Sequence, residues 1–469
     1  MGPSLDTATV TAGGVSGEAR GRGRSVGDRV MGGLARLLVK AFFRGVEVEH
    51  GERLGSGRPT VLVADHRNGL VDGLLLMAAL DRYPRFLAKS TLFRNPLLWP
   101  FLQLGGVVPI YRTQDGGSPV GNRRAFARCH RLLVDGGMVA IFPEGISHDE
   151  PTLQPLRTGA ARIALSAAAT GVGDVETVAV TLIYDDKQRF RSRALVRVGV
   201  PSSTLPWSEA YRNDEQGAVR SLTDDLAGRL RRDGSEYASW AEASMLAAVA
   251  DVVVRPTTVL PDPVSLVDRA PVVADLTRAL QAPMSGATTA AKAALEAAYG
   301  EYGKALDLMG LDDAQVAADY GSGRLRWDLA RAAATVLVAL PFAVLGIAVH
   351  TVPYGVVKLA SRVPDNEGMR ATVKVLGSFF LYTLTYVAIG VAVGRVGGAG
   401  LGVVAAAAAP ICGYAAVRMI ERIRGVGGAI AGYRAVRSGG PVTETVRQRR
   451  AAVVDTVRSV LDLHVAPGP

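Results

Sequence analysis

The sequence predicts an α/β fold with a mixed or mainly parallel sheet flanked by helices, followed by an α-helical connector and a C-terminal transmembrane helical region. Three observations support this class. Short apolar runs alternate with helical patterns between residues 59 and 200, which is typical of strands covered by helices. Residues 205–325 are helix-forming and mixed in charge. The C-terminal third contains apolar runs near the ~20 residues that span a bilayer.

The composition indicates a lipid partner. The chain has 469 residues, of which 48% are hydrophobic and 20% charged, with a formal net charge of +10. Such a balance favours anionic partners, and the sequence has no arginine–aromatic platform or zinc-finger spacing that would favour nucleic acid. The two cysteines, Cys129 and Cys412, suit neither a disulfide framework nor a metal site. We therefore expect no metal and a reducing, cytoplasmic face.

The N-terminal region is predicted to be a leader and an amphipathic helix. Residues 1–26 are rich in Gly, Ser, Thr and Arg and are predicted to be a disordered basic leader. Residues 29–44 place apolar side chains at helical spacing, with Arg36, Lys40 and Arg44 as a basic stripe. This pattern favours a helix in the membrane interface. The alternative is a helix that covers the core of the domain that follows.

A catalytic domain is predicted over residues 27–204. Its buried strands are predicted at 60–64, 106–110, 138–142 and 178–183, and its helices near 70–80, 121–135 and 157–168. In such folds the reactive loops follow the carboxyl ends of the strands. The polar motifs of this chain fall at those positions.

His66 and Asp72 are the predicted catalytic pair. Histidine suits removal of a hydroxyl proton because its ordinary pKa lies near ~6.5, and a carboxylate can fix its tautomer. Six residues along a regular helix would put the two side chains about 240° apart. They meet only if the chain turns between them, and Asn68-Gly69 is a strong turn signal. The alternative is a histidine that only satisfies hydrogen bonds in the turn.

Four further residues suit a phosphorylated, hydroxylated ligand. Arg112 follows a strand, and its planar guanidinium matches phosphate oxygens. Glu144 could hydrogen-bond hydroxyls, and Gly145 permits close approach of the backbone to a ligand. Arg191 lies in a basic run that suits phosphate or membrane. For each, an ordinary surface or turn position is the alternative.

Four blocks in this order resemble the phospholipid/glycerol acyltransferase family, which includes bacterial membrane-anchored members. The blocks are Ala64–Gly73, Val108–Arg112, Phe142–Ser147 and Tyr184–Arg193. The resemblance covers roughly residues 35–200. It implies glycerolipid acyltransferase activity, with His66 as general base, Asp72 as its partner, and acceptor binding by Arg112, Glu144 and Gly145.

The sequence departs from the usual motifs of that family in two places. The first motif is usually Asn-His-x4-Asp, whereas Asp65 precedes the histidine here and five residues separate it from Asp72. The third motif, Phe-Pro-Glu-Gly, is followed by Ile146-Ser147 instead of Thr-Arg. Arg157 is the candidate to replace that missing arginine.

The resemblance implies transfer of a fatty acyl group from acyl-CoA or acyl carrier protein, as co-substrate, to glycerol-3-phosphate or 1-acylglycerol-3-phosphate. No cofactor and no metal are implied. The alternative is a non-catalytic lipid-binding or scaffold protein on the same fold, and a lipid-acting serine hydrolase is disfavoured. His130 and His148 have no neighbouring residues at metal-ligand spacing and are predicted to be surface residues.

The remainder of the chain is predicted to be a connector, a membrane region and a tail. The boundaries are 205–328 for the helical connector, 329–424 for the membrane region and 425–469 for a cytoplasmic helical tail. Within the membrane region the prediction is a re-entrant or interfacial segment at 329–352 and spans at about 375–394 and 399–418.

Basic residues flank the two spans on one side, which favours a hairpin with both ends in the cytoplasm. The predicted location is thus the cell (inner) membrane, with the catalytic domain on the cytoplasmic face. A buried soluble helical bundle is the alternative.

Overall fold

The structure, a computed structural model, divides the chain into two compact units. It describes residues 25–55, 57–111, 119–187, 189–234, 236–256, 263–281, 286–318, 320, 322–364, 367–437 and 441–465. One unit consists of the described residues up to Glu236 together with Pro364–Val375, and the other of Tyr237–Val363 and the described residues from Leu376 onward.

The first unit contains the strands and the first seven helices. The strands are β1 Phe43–Glu49, β2 Thr60–Ala64, β3 Arg85–Lys89, β4 Val108–Ile110, β5 Met138–Ile141, β6 Glu176–Tyr184, β7 Ser192–Val198 and β8 Ser202–Ser203. The helices are α1 Val26–Phe42, α2 Leu70–Ala79, α3 Trp99–Leu104, α4 Pro119–Val134, α5 Gly159–Ala167, α6 Leu205–Asn213 and α7 Glu215–Asp233.

The strands form one mixed, mostly parallel sheet in the order β1-β7-β6-β2-β5-β3-β4, with β8 paired to β6. β6 runs antiparallel to β7 and β8, whereas the other pairs are parallel. This confirms the predicted fold class. Because β2 lies between β5 and β6, the loops that follow these three strands meet at one edge of the sheet.

Helices cover both faces of the sheet. All five residues of β2 are buried; Leu62 and Ala64 pack towards α1 and α2, whereas Val61 and Val63 pack towards α4, α5 and α7. This two-residue alternation is the period of a strand buried on both faces. The buried central strands therefore fix the positions of the loops that follow β2, β5 and β6.

Helix α1 covers the core of this unit. Its buried face, which includes Met31, Ala35 and Val39, faces the sheet and α2, which is the alternative that the sequence left open. Val30 and Leu37 remain exposed on its other face. Contact of that face with a membrane stays a prediction.

The first unit extends beyond the predicted boundary at residue 204. In α7, apolar residues at helical spacing, among them Leu222, Leu226 and Leu230, complete the core under β6. Residues 205–236 therefore belong to the first compact unit.

The second unit holds most of the remaining helices. These helices are α8 Trp240–Val254, α9 Leu266–Gln281, α10 Gly286–Met309, α11 Asp313–Ala317, α12 Ser322–Ala360, α13 Glu367–Gly397 (which begins in the first unit), α14 Ala399–Arg437 and α15 Pro441–Val465. Helices α8, α9, α10 and α15 share one apolar core. The predicted tail thus folds back onto the predicted connector, and Asp313 fixes it by pairing with Arg255 and Arg450.

Within the described part of the chain, three helices are long and apolar enough to cross a membrane: Leu329–Ala360, Arg370–Gly397 and Ala399–Ala435. The segment at 329–352, predicted to be re-entrant or interfacial, lies within the single helix α12, which includes Pro341, so the interfacial path and the number of spans stay predictions. A re-entrant segment would have to reverse direction. The long apolar helices support membrane association.

Candidate active site

His66 and Asp72 meet at the carboxyl end of β2. The strand ends at Ala64, the chain turns through Gly69, and α2 begins at Leu70, with Asp72 in its first turn. Gly69 has φ +57°, a conformation that favours glycine. His66 Nδ1 lies 2.9 Å from Asp72 Oδ2. The turn predicted at Asn68-Gly69 thus brings the two side chains into hydrogen-bond contact.

The Asp72 carboxylate is fully buried and satisfied by three donors. Oδ2 accepts hydrogen bonds from His66 Nδ1 and from the backbone N–H of Asn68, at 2.8 Å. Oδ1 accepts one from the hydroxyl of Tyr184, the last residue of β6. The amino end of α2 adds a favourable dipole. Because Oδ2 is the acceptor in this contact, Nδ1 of His66 is the donor and carries the ring proton.

The His66 ring is held in one plane. It stacks on Phe142, with ring centroids 4.2 Å apart and 14° between planes, and Phe142 stacks on Phe86. The side chain of His66 is 19% exposed. Among the described residues, Nε2 has no hydrogen-bond partner. With the proton on Nδ1, Nε2 carries the lone pair and can accept a proton from a ligand.

Glu144 anchors the loop that carries His66. Its Oε1 accepts the backbone N–H of His66 at 2.7 Å, and Oε2 accepts the backbone N–H of Gln154 at 2.9 Å and a hydrogen bond from His148. Burial raises its pKa, but the bonds from His148 and Gln154 outweigh burial and hold the pKa of Glu144 below its ordinary value. Because three protein donors occupy this buried carboxylate, we assign it to anchoring rather than to the predicted contact with an acceptor hydroxyl.

His148 is buried, so the prediction of a surface histidine is wrong. Its Nδ1 accepts the backbone N–H of Glu150 at 3.2 Å, which leaves the proton on Nε2, facing Glu144. Sequence reasoning missed this role and that of Tyr184. The available signals were His148 directly after the block Phe142–Ser147 and Tyr184 directly after a predicted strand.

Gly145 and Arg157 lie side by side next to Glu144. Gly145 has φ +75°, and a Cβ there would lie 2.8 Å from Arg157 Nε. The backbone N–H of Arg157 donates to Pro143 O at 2.8 Å, and its side chain is exposed. Because Gly145 has no side chain, the exposed guanidinium of Arg157 fits beside the loop that carries Glu144.

Arg191 has a structural role at the start of β1, and its contact with substrate stays a prediction. Its guanidinium donates to the carbonyls of Lys40 and Phe43, at 3.0 and 2.8 Å, where α1 passes into β1. Its backbone has φ +64°, unusual for a residue with a side chain. Arg112, the other predicted phosphate ligand, lies outside the described residues.

Ser25 lies in the one stretch with Gly-x-Ser-x-Gly spacing, Gly23–Gly27. Its hydroxyl caps α1 by accepting the backbone N–H of Asp28 at 3.1 Å. A nucleophile elbow requires a strand-to-helix turn, and Ser25 is an N-cap instead. Among the described residues, no group of three or more His, Cys, Asp or Glu could hold a metal ion.

Asp65, where the related motif usually has asparagine, is an unfavourably buried carboxylate. Oδ1 accepts the backbone N–H of Leu182 at 2.8 Å, and Arg67 lies 3.1 Å from Oδ2. Burial outweighs both contacts and raises the pKa of Asp65 from 3.8 to about 6. Its charged form is therefore less stable in the folded protein than in the unfolded chain.

We expect Asp65→Asn to stabilise the protein above pH 6. A raised folded-state pKa means that Asp65 favours folding fully below pH 3.8, and that this contribution is lost as the pH rises through about 6. A pKa shift of this size corresponds to roughly 3 kcal/mol in the free energy of unfolding. The amide keeps the acceptor for Leu182 without the charge.

Thermal unfolding at low and at neutral pH checks this prediction. The variant should match the wild type near about pH 4 and have the higher Tm near about pH 8. Asp81→Asn, at an exposed position, is the control. A Tm difference that is the same at both pH values would contradict the explanation.

Together the fold and site define an α/β domain with a histidine–aspartate pair suited to general-base chemistry. Residues 45–183 match the model of the Acyltransferase family. The similarity to this family thus lies within the first compact unit of the chain.

Relatives with related names match parts of the chain. It is 34% identical over 113 residues to glycerol-3-phosphate O-acyltransferase 2 of Saccharomyces cerevisiae, which covers 24% of this chain and 15% of the yeast protein. It is 30% identical to 1-acyl-sn-glycerol-3-phosphate acyltransferase of Bacillus subtilis over 28% of this chain and 61% of that protein. The human 1-acyl-sn-glycerol-3-phosphate acyltransferase beta is 28% identical, over 39% of this chain and 66% of the human protein.

This chain thus spans less than two thirds of each of these relatives. Among solved structures, the 1-acyl-sn-glycerophosphate (LPA) acyltransferase from Thermotoga maritima aligns with 45% of this chain and 81% of its own. That alignment has a TM-score of 0.33 and 17% identity.

Proposed function

We propose that this protein is a membrane-associated O-acyltransferase of phospholipid biosynthesis. It moves a fatty acyl group from acyl-CoA or acyl carrier protein to a hydroxyl of glycerol-3-phosphate or 1-acylglycerol-3-phosphate. The observation that carries the proposal is the 2.9 Å contact between His66 Nδ1 and the fully buried Asp72, which leaves Nε2 to act as base. The names of the relatives support the acceptor class.

In this mechanism the acceptor hydroxyl attacks the thioester carbonyl while its proton moves to His66 Nε2. Asp72 stabilises the imidazolium through the Nδ1 hydrogen bond. The tetrahedral intermediate collapses, the carbon–sulfur bond breaks, and the thiolate takes the proton back from His66. The products are the ester and a free thiol. The histidine returns to its starting state, and the acyl group never bonds to the protein.

We assign recognition of the acceptor phosphate to Arg157, with Arg112 as the second candidate. The support for Arg157 is its exposed side chain beside Gly145, on the loop that Glu144 joins to His66. A guanidinium presents two N–H groups to phosphate oxygens. The backbone at Gly145 would lie against the bound acceptor.

The membrane region supports a substrate that is itself a membrane lipid or becomes one. The three long apolar helices would hold the protein in the cell (inner) membrane, where lysophospholipid and acylated product reside. We place the catalytic domain on the cytoplasmic face, where acyl-CoA and acyl carrier protein are found. The basic residues on both sides of the hairpin formed by the second and third of these helices favour this orientation, with the first helix in the membrane interface.

Thiol release from acyl-CoA by the purified, detergent-solubilised chain tests this function. The assay offers glycerol-3-phosphate, 1-acylglycerol-3-phosphate or no acceptor. We expect release that requires one acceptor and yields the corresponding ester. If neither acceptor supports release with acyl-CoA or with acyl carrier protein, the protein is a non-catalytic member of the fold.

A further inference from the structure

Tyr184 joins the catalytic pair to the central sheet. Of the three donors to Asp72, those from His66 and Asn68 belong to the same loop, whereas Tyr184 comes from β6, 112 residues along the chain. Its hydroxyl donates to Asp72 Oδ1 at 2.5 Å. Among the described residues, no other donor reaches that oxygen.

The position of the Tyr184 hydroxyl is fixed by the fold. Tyr184 pairs with Ala194 of β7 in the antiparallel ladder, and its ring stacks on Phe43 with centroids 6.0 Å apart. Burial and the charge of Asp72 raise its pKa well above the ordinary value, so the hydroxyl keeps its proton and donates throughout the physiological range.

We propose that Tyr184 is a positioning residue whose hydroxyl fixes Asp72 and sets the pH range in which His66 acts as a base. This inference rests on the proposed function. A hydrogen bond to the carboxylate stabilises its charge and weakens its pull on the Nδ1 proton. Without that bond, Asp72 holds the imidazolium more strongly, and a higher pH is needed to free Nε2.

Other charged groups surround the pair and are unchanged by removal of the hydroxyl. Asp65 and Arg67 lie on the same loop, Glu144 and His148 follow β5, and the ion pair of Lys187 with Asp149 joins the loops after β6 and β5. All of these groups remain when the tyrosine oxygen alone is deleted. A change in the pH profile then reports the Tyr184–Asp72 bond.

The test is the pH dependence of kcat/KM in Tyr184→Phe, measured by acceptor-dependent thiol release between about pH 5 and 9. We expect the acidic limb to move to higher pH by about half a unit to one unit, which is the size expected for a hydrogen bond to a charged group. KM for the acceptor should stay unchanged, because the Tyr184 hydroxyl is engaged by the buried Asp72 carboxylate. Tyr83→Phe, whose hydroxyl contacts Met77 instead, is the matched control.

A second variant tests the role of the Tyr184 hydroxyl if Tyr184→Phe does not fold. 3-Fluorotyrosine at position 184 keeps the ring and the hydrogen bond, but its more acidic hydroxyl donates more strongly. The acidic limb should then move to lower pH, opposite to the phenylalanine variant.

An unshifted limb in the folded variants would overturn the inference, as would a loss of activity that is equal at every pH. Failure of the proposed function looks different. In that case the wild type itself shows no acceptor-dependent release, or His66→Ala retains it.

Discussion

Asp72→Asn is expected to lower kcat by about 10²–10³-fold, because it removes the charge that stabilises the imidazolium. The backbone N–H of Asn68 requires an acceptor at the Oδ2 position, so the new amide should turn its oxygen there. Its nitrogen then faces the Tyr184 hydroxyl, which can accept a hydrogen bond as well as donate one. His66 therefore keeps its proton on Nδ1, and the fall in kcat measures the effect of removing the Asp72 charge alone.

The pH profile separates this explanation from simple misfolding. An uncharged partner holds the imidazolium less strongly, so the acidic limb of kcat/KM should move to lower pH. This direction is opposite to that expected for Tyr184→Phe. Steady-state kinetics on both variants and on Asp81→Asn make the comparison. A limb that moves to higher pH in Asp72→Asn would contradict the assigned hydrogen bonds.

Glu144→Gln is expected to reduce both stability and kcat. The carboxylate accepts from three buried donors, on His66, Gln154 and His148. In either orientation the amide nitrogen faces at least one of those donors, and it cannot accept. An orphaned buried donor costs roughly 1–3 kcal/mol, which corresponds to a fall in Tm of about 2–4 °C per kcal/mol for a domain of this size.

Thermal unfolding and steady-state kinetics check this prediction, with Glu209→Gln on the exposed side of α6 as control. A role in anchoring predicts a lower Tm and a lower kcat, because the His66 backbone loses its partner. A role in acceptor binding alone predicts an unchanged Tm and a higher KM. An unchanged Tm with a higher KM would show that Glu144 binds the acceptor instead.

The catalytic pair could be predicted because it is local. His66 and Asp72 are six residues apart, and one turn signal decides whether they meet. The strand before the turn is apolar from Val61 to Ala64, so its end could also be located from the sequence.

The groups that hold the pair could not be predicted in the same way. Tyr184 and Glu144 reach the His66 loop only because β6 and β5 flank β2, and the sequence gives no strand order. The contact between His148 and Glu144 depends on the path of a loop without regular structure. A basic run likewise could not distinguish a phosphate ligand from Arg191, which binds backbone carbonyls of its own chain.

The packing of α7 against the first unit could not be predicted for a related reason. Helix α7 has an apolar stripe, with Leu222 and Leu226 on one face, but periodicity does not say which surface a helix covers. The same ambiguity concerned the C-terminal helix, which was expected to be a separate tail. Val453 and Val457 instead pack into the core of the second unit.

The decisive measurement is acceptor-dependent thiol release by the wild type and His66→Ala, side by side, with His130→Ala as the control histidine on α4. If His66 is the general base, the variant should lose about 10²–10⁴-fold in kcat with the acceptor KM and the Tm retained. The His130 variant should match the wild type. Retention of the full acceptor-dependent rate by folded His66→Ala would contradict the proposed chemistry.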